Sequence, residues 1–163
     1  VNLLRHRRRF VLGASALALP IAVAGCSSAD DRASAAVPSP DAEVAKVCRN
    51  LDKVLPAKVD GESRGDPEPA SALTAGWGSP AIILRCGVPR PAAMNDSGAD
   101  GVEVNGVGWL LEKLDGGAFR FTTTLRTAYV EVTVPEERTA GGMAPLVDLA
   151  PAVKEAIPEG IAS

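Results

Sequence analysis

The strongest constraint on this chain is a period of two in its apolar residues between Ile82 and Val134. Ile82, Leu84, Cys86 and Val88 fall on one side of an extended segment, with Ile83 and Arg85 on the other. Phe119, Phe121, Thr123 and Leu125 repeat the pattern against Arg120, Thr122 and Thr124. Ala128, Val130, Val132 and Val134 repeat it against Tyr129, Glu131 and Thr133, until Pro135 ends the run. Alternation of this kind belongs to strands that bury one face. Between these segments, Val102-Glu103-Val104 and Val107-Gly108-Trp109 flank Asn105-Gly106. That dipeptide accepts the positive φ of a type I′ turn, so a hairpin is expected there. Leu110, Leu111 and Leu114 continue its second arm, and Asp115-Gly116-Gly117 turns the chain again.

A helical period is confined to the two ends of this region. Val44, Val47, Leu51 and Val54 are spaced for one helical face, with Cys48 and Leu55 beside them. Ser39 is the expected N-cap, Pro40 the first helical residue, and Pro56 the stop. Leu146, Leu149, Val153 and Ile157 suggest a second helix, which Pro151 is expected to kink or split. Residues 57–80, rich in Gly and Pro, read as a long loop and as the first place to seek a binding surface. The order helix, loop, strand, antiparallel meander, helix predicts an α+β fold. The expected form is a two-layer sandwich, a mainly antiparallel sheet of about four to five strands with one or two helices packed on one face.

Upstream, a different pattern takes over. Arg5, Arg7, Arg8 and Arg9 precede an apolar run, Phe10 to Ala24, whose length of about 15 residues is too short to span a bilayer as a helix. It ends in Val23-Ala24-Gly25-Cys26, which resembles a bacterial lipoprotein signal. The resemblance implies that the Cys26 thiol receives a diacylglyceryl group and that the chain is cut just before it. The other reading is a plain secretory signal with an incidental cysteine. Arg7-Arg8-Arg9-Phe10-Val11-Leu12 resembles a twin-arginine export motif, and fits an ordinary basic n-region equally well. Val1 reads as a translated alternative start codon. The expected organisation is a signal peptide over 1–25, a flexible tether over 26–40 and a single domain over 41–158. The tether contains only Val37 as a sizeable apolar side chain, and its expected reach is about 20 Å.

Charge and cysteine content narrow the function classes. Four of the 17 basic residues lie before Cys26 and no acid does, so 13 basic side chains face 20 acidic ones downstream, a net charge of −7. Such a surface does not suit nucleic acid, and membrane attachment has to come from the lipid on Cys26 rather than from a basic patch. With Cys26 acylated, Cys48 and Cys86 are the remaining pair, and an exported protein keeps disulfides. Cys48 lies on the core face of the first helix and Cys86 on that of a buried strand, where helix on sheet lets them meet. Their bridge would contribute about 4 kcal/mol by loop closure; the alternative is two buried thiols. His6, inside the signal, is the only histidine, which removes His-dependent catalysis and His-ligated zinc downstream.

Several blocks resemble one family. Trp77 to Pro89, Val104-Asn105-Gly106-Val107 with Trp109, Phe121-Thr122-Thr123, and Tyr129 to Val132 before Pro135 are similar to a family of actinobacterial lipoproteins and secreted proteins built on a domain of unknown function. The likeness covers most of residues 44–157. It implies export and a location on the extracytoplasmic face of the cell membrane, and it brings no reaction, ligand or catalytic residue.

The remaining candidates are sparse. Trp77, Arg85, Trp109 and Tyr129 are candidates for a binding surface, since amphipathic aromatics favour interfaces, although a lone Trp beside a strand is more often core. Arg120 and Glu131 read as a surface ion pair across a hairpin. Gly106 and Gly108 lie in a hairpin rather than between strand and helix, and the acids of 60–68 lack calcium-loop spacing, so no cofactor or metal is expected. The favoured expectation is a tethered, non-enzymatic envelope module that binds a protein or wall component through the long loop and an exposed strand face. The rival is a small hydrolase or transferase using carboxylates such as Glu103, Glu131 or Asp148 close together in a cleft.

Overall fold

A computed structural model describes residues 33–162. The expected signal peptide with its twin-arginine-like stretch, Cys26 and the first part of the expected tether lie outside the described residues. The fold is α+β: a six-stranded antiparallel sheet, a two-stranded sheet and two α-helices. In chain order these are α1 (Ala42–Val54), β1 (Lys58–Val59), β2 (Glu62–Ser63), β3 (Thr74–Trp77), β4 (Ile82–Cys86), β5 (Asp100–Val104), β6 (Val107–Lys113), β7 (Phe119–Thr123), β8 (Val130–Val134) and α2 (Ala144–Ala156). The large sheet has the order β3-β4-β8-β7-β6-β5.

There are thus more strands than the four to five expected. The additional ones come from residues 57–80, which are not a loop throughout. Asp60 and Gly61, both at positive φ, turn β1 into β2. Thr74–Trp77 pairs with β4 and is buried at every position. Thr-Ala-Gly-Trp carries no alternation to reveal it, because β3 is held by its pairing and not by its own propensity.

Register assigns the two faces of the sheet. Leu84, Val132, Phe121 and Leu111 pair in one row across β4, β8, β7 and β6. With their neighbours they meet buried residues of both helices, among them Leu51, Leu146, Leu149 and Val153, in one core cluster. Cys48 of α1 and Cys86 of β4 lie in that cluster with their sulfurs at bonding distance, 2.00 Å. The opposite row reads Thr74, Arg85, Glu131, Thr122, Leu110, Gly101, and its side chains become uncharged and then vanish toward β5. Residues 87–99 join β4 to β5 past three intervening strands. Arg90 and Met94 of that connection share a cleft with Leu110, so it crosses this outer face.

Three local expectations are corrected. The N-cap of α1 is Asp41, not Ser39: its Oδ1 accepts from the backbone N–H groups of Glu43 and Val44 at 2.9 Å. A carboxylate also favours the positive end of the helix dipole. Pro151 neither splits nor ends α2, which runs unbroken from Ala144 to Ala156. Pro151 removes the N–H that would reach the carbonyl of Val147, and Asn105 Nδ2, at the hairpin tip, donates to that carbonyl at 3.4 Å. Finally, residues 33–36 of the expected flexible tether are docked. Ala35 is buried and donates its N–H to the Glu68 carbonyl at 3.1 Å, Glu68 N–H donates to the Ala33 carbonyl at 2.8 Å, and Arg85 Nη1 reaches the Ala36 carbonyl at 3.5 Å. Hydrogen bonds to the body satisfy this backbone, which composition alone does not reveal.

Candidate functional site

The residues singled out as a binding surface divide into three environments. Trp77 and Trp109 are core residues, at 0% and 1% exposure; Trp109 also contributes to the lining of the cleft described below, whereas Trp77 does not. Trp77 Nε1 donates to the Pro56 carbonyl at 3.0 Å, which seats the indole between α1 and β3. Arg85 is half-buried and its guanidinium is occupied: Nε and Nη2 lie 2.9 and 2.8 Å from Glu131 Oε1. Arg120 Nε approaches the other oxygen of Glu131 at 3.5 Å. Glu131, at 6% exposure, is therefore a buried carboxylate held between two arginines, not half of a surface pair. Burial makes the second arginine worthwhile, because an unpaired charge there would be costly. Of the four candidates, Tyr129 and Trp109 border an open cavity.

The long segment 57–80 is similarly spent on the fold. Arg64 pairs with Asp52 and donates to its carbonyl, tying β2 to α1. Arg138 donates to Glu62 at 2.9 Å and to the Pro80 carbonyl at 2.7 Å. Of the three carboxylates named for catalysis, Asp148 accepts the N–H of Asp60 at 2.8 Å, Glu131 is locked as described, and Glu103 stands alone of the three at the cleft.

That cleft has a volume of about 630 Å³. Its floor is the Leu110 and Gly101 end of the outer sheet face; one wall is the crossover with Arg90 and Met94. The other wall is the corner between β7 and β8 together with the C-terminal segment, where Leu125 and Ile161 project. A smaller hollow of about 400 Å³ shares Glu103, Leu125, Arg126 and Ile161 and extends the cleft toward the hairpin tip.

The corner is built around Arg126, which is 5% exposed. Its Nη1 and Nη2 donate to the carbonyls of Ile157 and Gly106 at 3.1 Å each, and Glu159 lies 3.8 Å away. The C-terminal segment closes against it through Thr127 N–H to the Pro158 carbonyl and Gly160 N–H to the Leu125 carbonyl, both at 3.0 Å. Gly160 permits this approach, since a Cβ there would sit 2.7 Å from Thr127 Cγ2. Leu125 is the cost of the corner: it takes φ 53°, a left-handed conformation unfavourable for a bulky residue, and is 76% exposed. Alternation places Leu125 on the apolar face of the strand, but β7 ends at Thr123 and the turn throws Leu125 outward. No sequence signal marks the corner, because Thr124-Leu125-Arg126 continues the strand period.

One family model, described as Protein of unknown function (DUF3515), matches residues 10–162. The chain belongs to that family. No curated protein and no solved structure matches it. The family's matched span takes in the whole cleft, the docked segment 33–36 and Cys26. Among the described residues there is no cluster of three or more His, Cys, Asp or Glu placed to hold a metal, and no helix is long and apolar enough to cross a membrane. What the cleft offers a ligand is an apolar floor, two projecting aliphatic side chains, one phenol and a small number of charges, a composition suited to recognition.

Proposed function

We propose that the chain is an exported lipoprotein of the cell envelope, a two-layer α+β module held on the outer face of the cell membrane by a lipid on Cys26, which binds a ligand and does no chemistry on it. The observation that carries the binding half is the cleft between the crossover and the Arg126 corner. It is concave, largely apolar and rimmed by exposed Leu125 and Ile161, and concave, mostly apolar clefts with a few polar groups are where ligands bind. The binding region is thus moved from the 57–80 segment, whose polar groups serve the fold.

The anchoring half is supported by the order of apolar run, small residues and Cys26, and by the start of the family's matched span at residue 10, ahead of that stretch. The docked Ala33 also shortens the tether. Seven residues carry the chain from Cys26 to Ala33, and whatever their conformation they span at most about 25 Å. The module works close to the headgroups.

Replacement of Cys26 by Ser tests the anchor in the organism's own envelope. The expected result is transfer of the protein from the membrane fraction to the soluble envelope fraction, with a diacylglyceryl mass on the native N-terminal peptide and none on the variant. Equal membrane retention of the two, or a native Cys26 without lipid, would overturn it.

A further inference from the structure

We propose that the ligand is an extended peptide segment of a partner protein, apolar and basic in alternation, which adds as a seventh strand to the free edge of β5. This deepens the binding reading above and rests on it. The two edges of the sheet are unlike. Beyond β3, Gly65 N–H donates to the Gly76 carbonyl at 2.8 Å and Gly78 N–H to the Ser63 carbonyl at 3.2 Å, so that edge is covered. Beyond β5 no strand follows, and among the described residues no loop or turn hydrogen bond uses a backbone group of 100–104. An edge of this kind is a template for another strand.

The cleft and this edge are continuous. Four consecutive residues of β5, Asp100 to Glu103, border the cavity, although successive side chains point to opposite faces. The cavity is therefore open to the strand's backbone as well as to its side chains. In a strand laid along β5, every second side chain would fall on the cleft side beside Gly101, whose lack of a side chain leaves the way to Leu110 open. The exposed, positive-φ Leu125 is where backbone strain and solvent-exposed apolar surface coincide, a combination that accumulates at binding sites.

Charge selects among peptides. Arg90 is committed to Asn95 Oδ1 at 2.6 Å and the Met94 carbonyl at 3.2 Å, and Arg126 to the carbonyls of its corner. Among the described residues Asp100 and Glu103 are exposed and make no salt bridge. The edge strand itself thus carries two acids and no base, and Asp100, on the face away from Leu110, favours cationic side chains at alternate positions of the incoming strand.

The test uses the full chain purified from membranes and a fluorescent peptide of about six residues, alternating Lys and Leu. Saturable binding is expected, weakened about tenfold or more when Glu replaces Lys. Asp100→Lys, on the face that the alternate lysines would share, should weaken the Lys peptide about tenfold, while Asp115→Lys, in the β6–β7 turn, leaves it unchanged. Two N-methylated peptides, each blocked along one edge, should separate: one loses binding and the other keeps it, as pairing through a single edge requires. Equal binding of both N-methylated forms, equal binding of the Glu peptide, or no saturation by about 1 mM would overturn the proposal. So would displacement of the peptide by lipid or glycan at lower concentration. Membrane attachment and the mass on Cys26 are read separately, so failure of the peptide leaves the anchor standing.

Discussion

Glu131 illustrates how one side chain can change category between sequence and structure. On the strand pattern it alternates outward, and an outward Glu near an Arg reads as a solvated pair. In the fold it is covered, and its carboxylate oxygens lie against Arg85 and Arg120. Glu131→Gln removes that charge but keeps the shape, so both guanidiniums lose their common partner. They retain 28% and 35% exposure, which moderates the loss. The expected cost is about 2 kcal/mol, read as a lower urea midpoint at unchanged slope; an unchanged midpoint would show that water satisfies both arginines. Trp77 changed category in the same sense, from candidate surface to core. A residue's chemistry was legible, but its exposure depended on strands that pair elsewhere in the chain.

At the scale of elements, α2 and the β5–β6 hairpin stabilise one another through a defect. Pro151 belongs to a helix that runs through it, because Asn105 donates to the carbonyl which the missing N–H leaves free. The turn itself was readable from Asn105-Gly106, and both residues do take positive φ, at 51° and 78°. What the dipeptide did not reveal is that its amide has a second task. Asn105→Gly keeps the turn and should cost about 1 kcal/mol. In Pro151→Ala the helix supplies its own N–H, so the same Asn105→Gly change should cost less there. A double-mutant cycle measures the difference, expected at about 0.5 kcal/mol or more; strict additivity would mean that the contact contributes nothing. The Cys48–Cys86 link is an opposite case. Helical and strand periods put each cysteine on a core face, and because those rules are local, the pair was visible before any tertiary contact was known.

For the whole molecule, the docked segment 33–36 sets how much of the chain ahead of α1 is held against the body. Ala35 is buried where a larger, charged side chain has no room or partner. Ala35→Glu should release the segment, with faster cleavage by thermolysin between residues 33 and 40 and a stability loss of about 1–2 kcal/mol. Cleavage at the native rate would show that the hydrogen bonds to Glu68 hold it without Ala35.

Sequence alone determined the α+β class, the meander from β5 to β8, the turn at Asn105-Gly106, both helices and the cysteine pair. Each of these follows from a rule that acts within a few residues: a period of two, a period near 3.6, a φ sign or a cap. The tertiary structure alone decided that Thr74–Trp77 is a strand, that Glu131 is buried, that residues 33–36 are docked, and that Leu125 turns outward beside an open edge. Those outcomes depend on which strand lies next to which. Register between distant segments is set by the packing of the whole core, and no short stretch of the chain carries that information.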